Sequence, residues 1–463
     1  MGSSRQRPGI VRRFIGGTLM LLLLVACAGP LAAVWPSPRL VAYGVDRGDL
    51  SRHTIGIYLY PEDDVHSPVA PRLGALGARW ARSWLSWDWV EPVRTEPPTY
   101  RWDTLDAILG AAREAGMEPI FLLGGNAAWA AESFCGPLYP EARTAFVAFL
   151  QAAVNRYKES PYQVRLWEIY NEPDSVFGPQ GYCFGTRGER YPETLRLAYE
   201  AIKTADPQAV VLFGGLSYDF FIHEGGRFDP DFLDDALSAG AGPYFDVLAF
   251  HYYPAFAERW EAFGPGVAGK AAYLRRELAR YGLSKPLALT EIGRPTRGPA
   301  ADPLTYDEET TARFVLPALA LARAADLAPI IWFTAVDKPA EPYDYGLFDA
   351  TFHPEPGLAA YGVALAALQG AEYLGPLPLV GAGQALRFRH PDGREVVVAW
   401  AGHPDRGEGG WALLTLPAAG VWVVDGRGAA RRFVEGGPAD RDGRRDGRLT
   451  LLLGTEPFVL WPF

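Results

Sequence analysis

The chain has 463 residues and a mass of 50.6 kDa, which suffices for one large barrel with an appended domain or for three ordinary domains. Its 49% hydrophobic and 21% charged residues exclude a disordered chain and a polytopic membrane protein. The excess of 54 acidic over 44 basic residues, a net charge of −10, argues against nucleic acid as a partner, because nucleic-acid binding needs clustered positive charge.

The first 35 residues predict export from the cytoplasm. Four arginines within 1–13 precede an uncharged run over 14–35, which is the order of an export signal. Small residues before Cys27 resemble a bacterial lipobox, in which the cysteine is lipidated. A lipoprotein signal, an uncleaved membrane anchor and a simple secretion signal all remain open, since about 20 apolar residues can span a bilayer. Each of them predicts a protein that is extracytoplasmic, either attached to the cell envelope or secreted.

From residue 54 to residue 369, short apolar runs alternate with longer segments of helical periodicity. This alternation predicts a parallel sheet with helical crossovers. The predicted strands are Thr54–Tyr60, Arg79–Leu85, Glu118–Leu123, Val164–Ile169, Val210–Gly214, Val247–His251, Leu287–Glu291 and Pro329–Thr334. The predicted helices are Thr104–Ala115, Glu141–Tyr157, Glu193–Ala205, Val267–Tyr281 and Glu308–Ala325.

The number of these units indicates how the sheet closes. Eight strand and helix units match a (β/α)₈ TIM barrel, whose usual size is about 250 residues before insertions. An open doubly wound sheet would instead carry a glycine-rich phosphate turn after its first strand. No such turn follows Tyr60. We therefore expect an α/β fold with the barrel over 36–369.

After Gln369 the pattern changes to short strand-like runs separated by Gly, Pro and Asp turns. This predicts a small antiparallel, β-sandwich-like domain over 370–463, with Gly370–Gly383 as the junction. Gly426–Arg448 is rich in Gly, Arg and Asp and is expected to be an exposed loop. The predicted strands of this domain are Ala385–Arg389, Glu395–Ala401, Trp411–Leu416, Val421–Val424, Leu449–Leu453 and Phe458–Trp461.

Two carboxylates stand at the ends of predicted barrel strands. Glu172 follows the fourth strand, within Asn171-Glu172-Pro173, and Glu291 ends the seventh. Because catalytic groups of such barrels come from the carboxyl ends of the strands, we expect both side chains at one mouth. A lone glutamate at a strand end is more often a salt-bridge partner, so the joint placement carries the hypothesis.

This pattern resembles clan A of the glycoside hydrolases, the retaining (β/α)₈ glycosidases, and most closely families 39 and 5. The resemblance covers about residues 54–369. Further segments similar to the clan are Gly77–Arg82, Trp87–Pro92, Tyr100–Trp102, Leu105–Asp106, Ala127–Ala130, Phe250–Pro254, Trp332, Gly346–Asp349 and Pro356–Tyr361. Two positions depart from it: Tyr170 stands where tryptophan is commoner, and Arg294 stands where an aromatic residue is common.

The resemblance implies hydrolysis of β-linked glycans or glycosides by double displacement. Glu172 would be the acid/base and Glu291 the nucleophile. Retaining hydrolysis needs these carboxyl groups about 5–5.5 Å apart. We expect mutual repulsion to keep Glu172 protonated while Glu291 is ionised.

The resemblance also implies polar neighbours for this pair. Asn171 would hydrogen-bond the sugar 2-hydroxyl. Arg82 and Tyr253 would hold Glu291 ionised through charge-assisted hydrogen bonds. His251 would lie beside the two carboxylates, the alternative being a structural histidine.

Aromatic residues are the remaining candidates for substrate binding. Trp129 and Trp332 are expected to form sugar platforms, since indole stacks on the apolar faces of sugar rings. The alternative for both is that they fill the core. Trp87 and Glu91 are expected to brace the mouth as scaffold.

Cys135 and Cys183 are expected to form a disulfide. Cys27 belongs to the export signal, and an oxidising compartment permits pairing of the other two cysteines. Both lie on loops after consecutive strands, the third and the fourth. The alternative is two unpaired buried thiols, because bridging needs Cα atoms within roughly 7 Å.

We expect no metal and no other cofactor, because His, Cys and carboxylates form no cluster at ligand spacing in the sequence. The expected partner is a carbohydrate substrate, with the membrane contacted through the N-terminal lipid or anchor. A catalytically silent, envelope-attached glycan-binding barrel is the alternative function. A catalytically silent barrel would be expected to lack Glu172, Glu291 or Asn171, and all three residues are present.

Overall fold

A computed structural model describes residues 54–61, 68–176, 183–298 and 307–463. The predicted export segment, including Cys27, lies outside these ranges. In the part of the chain so described, no helix is both long and apolar enough to cross a membrane.

Eight parallel strands close into a barrel in chain order, and β1 pairs with β8 to complete it. Residues facing the interior, such as Trp80, Ile120 and Ile331, form one cluster, while the alternate residues pack outward against the helices. The predicted (β/α)₈ barrel is therefore confirmed. Its strands are β1 Ile55–Tyr58, β2 Trp80–Ser86, β3 Glu118–Gly125, β4 Leu166–Asn171, β5 Val210–Leu216, β6 Val247–Tyr252, β7 Leu287–Ile292 and β8 Ile330–Trp332.

Helices surround the strands and bury their apolar faces against them. In the helix Glu308–Ala324, for example, the Asp307 side chain accepts a hydrogen bond from the Thr310 amide and caps the first turn. The helices are α1 Val69–Leu76, α2 Trp87–Val90, α3 Asp103–Glu114, α4 Arg143–Tyr157, α5 Tyr191–Ala205, α6 Phe232–Ser238, α7 Gly266–Arg280, α8 Glu308–Ala324 and α9 Pro356–Leu368.

The end of α9 is joined to the start of the barrel. The Gln369 side-chain oxygen accepts hydrogen bonds from the amides of Thr54 (2.8 Å) and Ile55 (2.9 Å). The Tyr361 hydroxyl donates to the Gly56 carbonyl at 2.8 Å. These contacts satisfy backbone groups that a barrel strand would otherwise leave unpaired at its entrance.

The predicted antiparallel β domain is also present, as a three-stranded and a six-stranded sheet. One face of β12 packs with the barrel core through Val398 and Trp400, and the other face packs with the second sheet through Val397 and Ala399. The strands are β9 Glu372–Pro376, β10 Leu379–Gly381, β11 Gly383–Arg389, β12 Glu395–Ala401, β13 Ala412–Leu416, β14 Gly420–Asp425, β15 Ala430–Val434, β16 Leu449–Leu453 and β17 Phe458–Pro462.

Three of these strands lie where the sequence predicted no strand. The expected junction Gly370–Gly383 contains β9 and β10, and the expected exposed loop Gly426–Arg448 contains β15. All three are edge strands. An edge strand needs only one partner and tolerates charge and glycine, so its sequence lacks the apolar alternation of an inner strand.

Candidate active site

The barrel brings six of the predicted site residues together at the carboxyl ends of its strands. Five of them lie within the last two residues of β4, β6 or β7 or one residue beyond, and Arg82 lies inside β2. They are Arg82, Asn171, Glu172, His251, Tyr253 and Glu291.

Both oxygens of the Glu291 carboxylate are held by donors. Arg82 Nη1 donates to Oε1 at 2.7 Å, and the Tyr253 hydroxyl donates to Oε2 at 2.5 Å. Glu291 itself is 5% exposed. This buried carboxylate thus has a strong donor on each of its two oxygens.

The Arg82 guanidinium is fully buried and donates to three acceptor side chains. It binds both oxygens of Glu168, at 2.7 and 3.1 Å, and the Asn171 side-chain oxygen at 2.8 Å, besides Glu291. Burial alone would lower the pKa of Arg82, but Glu168 and Glu291 raise it. The guanidinium therefore remains charged and fixes the orientation of two side chains at the mouth.

Sequence reasoning missed Glu168. It is fully buried within β4 and accepts further hydrogen bonds from the Thr290 hydroxyl (3.0 Å) and the Gly215 amide (3.1 Å). The available signal was a carboxylate inside an apolar strand, because a buried charge needs a cationic partner. Arg82 is that partner.

Glu172 directly follows β4 with a left-handed backbone (φ 45°), and its amide donates to the Gly215 carbonyl at 2.9 Å. His251 Nδ1 lies 3.1 Å from Glu172 Oε1 and 3.5 Å from Glu291 Oε2. The imidazole Nε2 is buried without a hydrogen-bond partner among the described residues. This favours the tautomer with its proton on Nδ1, which donates to the carboxylates.

The electrostatics of Glu172 differ from the expectation of a carboxyl kept protonated by repulsion. Burial raises the pKa of Glu172, but the His251 hydrogen bond and the charges of Arg227 and Arg82 outweigh it, and the pKa is lowered overall. Arg227 Nη2 lies 3.3 Å from Glu172 Oε2. Arg227 comes from the loop between β5 and α6, so its proximity could not be read from the sequence around Glu172.

One ligand atom each from Glu172, His251 and Glu291 lies within 4.8 Å of the others, a spacing that could hold a metal ion. The cations already bound to these carboxylates oppose one: Arg82 is bonded to Glu291 and Arg227 to Glu172. A divalent ion there would face two fixed positive charges at short range. The expectation of a metal-independent site stays a prediction.

The two predicted sugar platforms, Trp332 and Trp129, differ in their exposure to solvent. Trp332 is fully buried and packs outward against Phe314 of α8, so it does not face the mouth. Trp129 is partly exposed on the loop after β3; its indole N–H donates to the Glu91 carbonyl at 2.8 Å, and its ring meets Trp87 edge to face.

Phe333, the residue after Trp332, takes the mouth-facing position. Its ring centroid lies 5.0 Å from that of Tyr58 and 5.4 Å from that of Tyr345, and Tyr345 lies 5.5 Å from Tyr253. Strand alternation explains the difference, because Ile331 faces the barrel interior and Phe333 therefore shares its side. The partly exposed Phe333 was the better candidate for a substrate contact.

Cys135 and Cys183 form the predicted disulfide, with Cα atoms 4.5 Å apart. The bridge joins the loop after β3 to the loop after β4, which begins with Glu172. It therefore ties two loops of the mouth together beside the candidate site.

No protein-family model matches the chain, and no curated protein matches it. Solved structures do. A family 39 glycoside hydrolase from Bacteroides cellulosilyticus is 20% identical, with a TM-score of 0.67, and the match covers 90% of this chain and 82% of that one. A family 30 endoxylanase from Clostridium papyrosolvens is 14% identical, with a TM-score of 0.59 and coverage of 89% and 96%.

A monomeric β-xylosidase from Caulobacter crescentus is 16% identical, with a TM-score of 0.57, and the match covers 91% of this chain and 98% of that one. Matches of this extent include the β domain as well as the barrel. The chain thus has the fold of clan A (β/α)₈ glycoside hydrolases with a C-terminal β domain.

Proposed function

We propose that the chain is a retaining glycoside hydrolase acting on β-linked glycans or glycosides. The observation that carries the proposal is the pair Glu172 and Glu291, which have carboxylate oxygens within 4.8 Å of each other at the mouth of the barrel. Retaining enzymes hold their carboxyl groups about 5–5.5 Å apart, whereas inverting enzymes leave about 6.5–9.5 Å for a water molecule. The short separation supports direct attack by a carboxylate.

In this proposal Glu291 is the nucleophile, with its two oxygens bound by Arg82 and Tyr253. It attacks the anomeric carbon, and Glu172 gives its proton to the departing oxygen. Water then hydrolyses the glycosyl ester with Glu172 as the base. Asn171, oriented by Arg82, is the proposed partner of the sugar 2-hydroxyl.

The lowered pKa of Glu172 has a consequence for this mechanism. The acid role needs a proton on Glu172, and His251 and Arg227 oppose that proton. We therefore expect the rate to be highest on the acidic side of neutrality, with a bell-shaped profile that belongs to the coupled pair.

The test is chemical rescue. Glu291→Ala should abolish turnover of aryl β-glycosides, and azide should restore it with inversion at the anomeric carbon, because the anion occupies the space of the lost carboxylate. Glu172→Ala should spare substrates whose leaving group needs no protonation. A retained product after rescue would place the nucleophile elsewhere, and loss of activity on chelation would show a required metal.

The proposed location is outside the cytoplasm, attached to the envelope or secreted. The disulfide supports it, since such bonds persist mainly in oxidising compartments. Fractionation of expressing cells with immunodetection of the barrel tests this location. Finding the barrel in the cytoplasm would contradict it.

A further inference from the structure

Trp84 and Phe134 form a stacked pair at the mouth that the proposed mechanism does not use. Their ring centroids lie 5.7 Å apart and their planes are parallel within 1°. Both side chains are partly exposed, and within the described ranges neither belongs to the clusters that form the barrel core. Large aromatic rings that remain partly exposed beside a cleft are available for ligand contact.

Two glycines of β3 make room for this pair. A Cβ atom on Gly124 would lie 2.2 Å from the Trp84 ring, and one on Gly125 would lie 2.1 Å from the Phe134 ring. The rings therefore lie directly on the strand backbone. A side chain at either glycine would displace them.

Trp84 is on the same face of β2 as Arg82, two residues nearer to the carboxyl end. At about 3.3 Å per residue, this raises it by roughly 6–7 Å toward the mouth. Arg82 contacts Glu291 and Asn171 directly. The Trp84 ring therefore lies on the mouth side of the arginine that binds the proposed nucleophile.

The loop that carries Phe134 is held on several sides. The Asn126 amide group donates to the carbonyls of Ser133 and Gly136, both at 3.1 Å, and its side-chain oxygen accepts from the Tyr170 hydroxyl at 2.5 Å. Tyr170 precedes Asn171 and Glu172, so this loop is tied to the strand end that carries the proposed acid.

The disulfide adds a covalent tie at the residue next to Phe134. Cys135 is joined to Cys183 on the loop after β4. Tyr170 stands where tryptophan is common in clan A. Its hydroxyl makes a contact with Asn126 that tryptophan could not make.

We propose that Trp84, backed by Phe134 and secured by the disulfide, is a stacking platform for a pyranose ring of the glycan. The inference rests on the proposed function and adds a substrate contact to it. The C–H faces of a β-linked pyranose are apolar, so they pack against indole while the hydroxyl groups remain solvated. The site thereby selects oligosaccharides whose rings can lie flat on β2 and β3.

The experiment measures binding without turnover. In a Glu291→Gln background, β-1,4-linked xylo-, cello- and manno-oligosaccharides from disaccharides to hexasaccharides are titrated by calorimetry. Adding Trp84→Ala should weaken binding of the preferred oligosaccharide about tenfold or more, and Trp84→Phe should keep most of the affinity. Trp411→Ala, which removes a 59% exposed tryptophan of the β domain, is the matched control and should change nothing.

Two variants test the support of the platform. Phe134→Leu, which keeps an apolar side chain, and the double variant Cys135→Ser/Cys183→Ser should each weaken binding of the same oligosaccharide, with circular dichroism confirming the fold. Unchanged affinity in Trp84→Ala, or no binding to any member of the series, would overturn the platform. Failure of the proposed function is read separately, from turnover that persists in Glu291→Ala.

Discussion

Among single residues, Arg82 determines the charge balance of the candidate site. It is the fully buried cation between Glu168 and Glu291, and it also orients Asn171. Glu168→Gln leaves Arg82 paired with Glu291, but it takes a carboxylate acceptor away from the buried guanidinium N–H groups and places an amide N–H against them. The identity of Glu168 should therefore matter for stability even though Glu168 has no role in the proposed chemistry.

We expect Glu168→Gln to lower the free energy of unfolding by about 1–3 kcal/mol, the usual cost of leaving a buried donor without its acceptor. Urea denaturation measures it. The control is Glu372→Gln, which removes the exposed partner of Arg389 and should cost at most about 1 kcal/mol. Equal losses in the two variants would contradict a buried, energetically coupled pair.

Arg227 should set the alkaline limb of the activity profile. Its positive charge contributes to the lowered pKa of Glu172, so Arg227→Gln raises that pKa and keeps the acid protonated to higher pH. The alkaline limb of the rate on an aryl glycoside should move upward. Arg259→Gln, which removes a partner of Glu224, is the control and should leave the limb in place. A downward shift in Arg227→Gln would remove Glu172 from the acid role.

Among the elements, the loop between β12 and β13 connects the β domain to the site. The Tyr252 hydroxyl donates to Asp405 Oδ1 at 3.1 Å, and Arg294 Nη1 donates to the Asp405 carbonyl at 2.9 Å. Tyr252 stands between His251 and Tyr253, and Arg294 follows Glu291 by three residues. Arg294, one of the two positions that depart from the clan pattern, thus contacts the β domain.

Asp405 gives this loop a pH-dependent stability. Burial raises its pKa to about 6 from an ordinary 3.8, although Tyr252 and Arg294 lower it in part. A raised folded-state pKa means that ionisation costs stability as the pH rises from about 4 to 6. Asp405→Asn should therefore gain stability relative to the wild type over that window, by roughly 3 kcal/mol.

Urea denaturation of Asp405→Asn at pH values across this window measures the gain. Glu395→Gln, which removes an exposed carboxylate at the start of β12, serves as the control. A difference between Asp405→Asn and wild type that stays constant with pH would exclude a buried, titrating Asp405.

For the whole molecule, the barrel and the β domain share a core and belong to one compact unit. Trp400 and Val398 of β12 pack with the barrel cluster, and Arg313 of α8 pairs with Glu456 of the β domain at 3.4 Å. A sheet face of this kind has no independent way to cover its apolar surface. The two parts should unfold together.

Trp400→Ala tests this coupling. Trp400 is 1% exposed, so its truncation should cost about 3–5 kcal/mol. Native-state hydrogen exchange should show that loss equally in the barrel strands and in the β domain. Trp411→Ala, at an exposed site, should fall within about 0.5 kcal/mol of wild type. Protection lost only in the β domain would show two independent units.

The sequence by itself determined the barrel strands and the positions of Glu172 and Glu291 at the ends of two of them. Strand periodicity is local, and the carboxyl ends of parallel strands meet at one mouth whatever the details of packing. Those statements therefore needed no contact distances.

Only the tertiary structure decided that Phe333 rather than Trp332 faces the mouth, that Arg227 reaches Glu172, and that Phe134 stacks on Trp84. The first depends on the side of the barrel that each β8 residue takes once the strands close. The other two join residues on different strands or loops, and their proximity arises from the closed barrel. Such contacts leave no periodic signal in the chain, because the free energy that selects them comes from packing between distant segments.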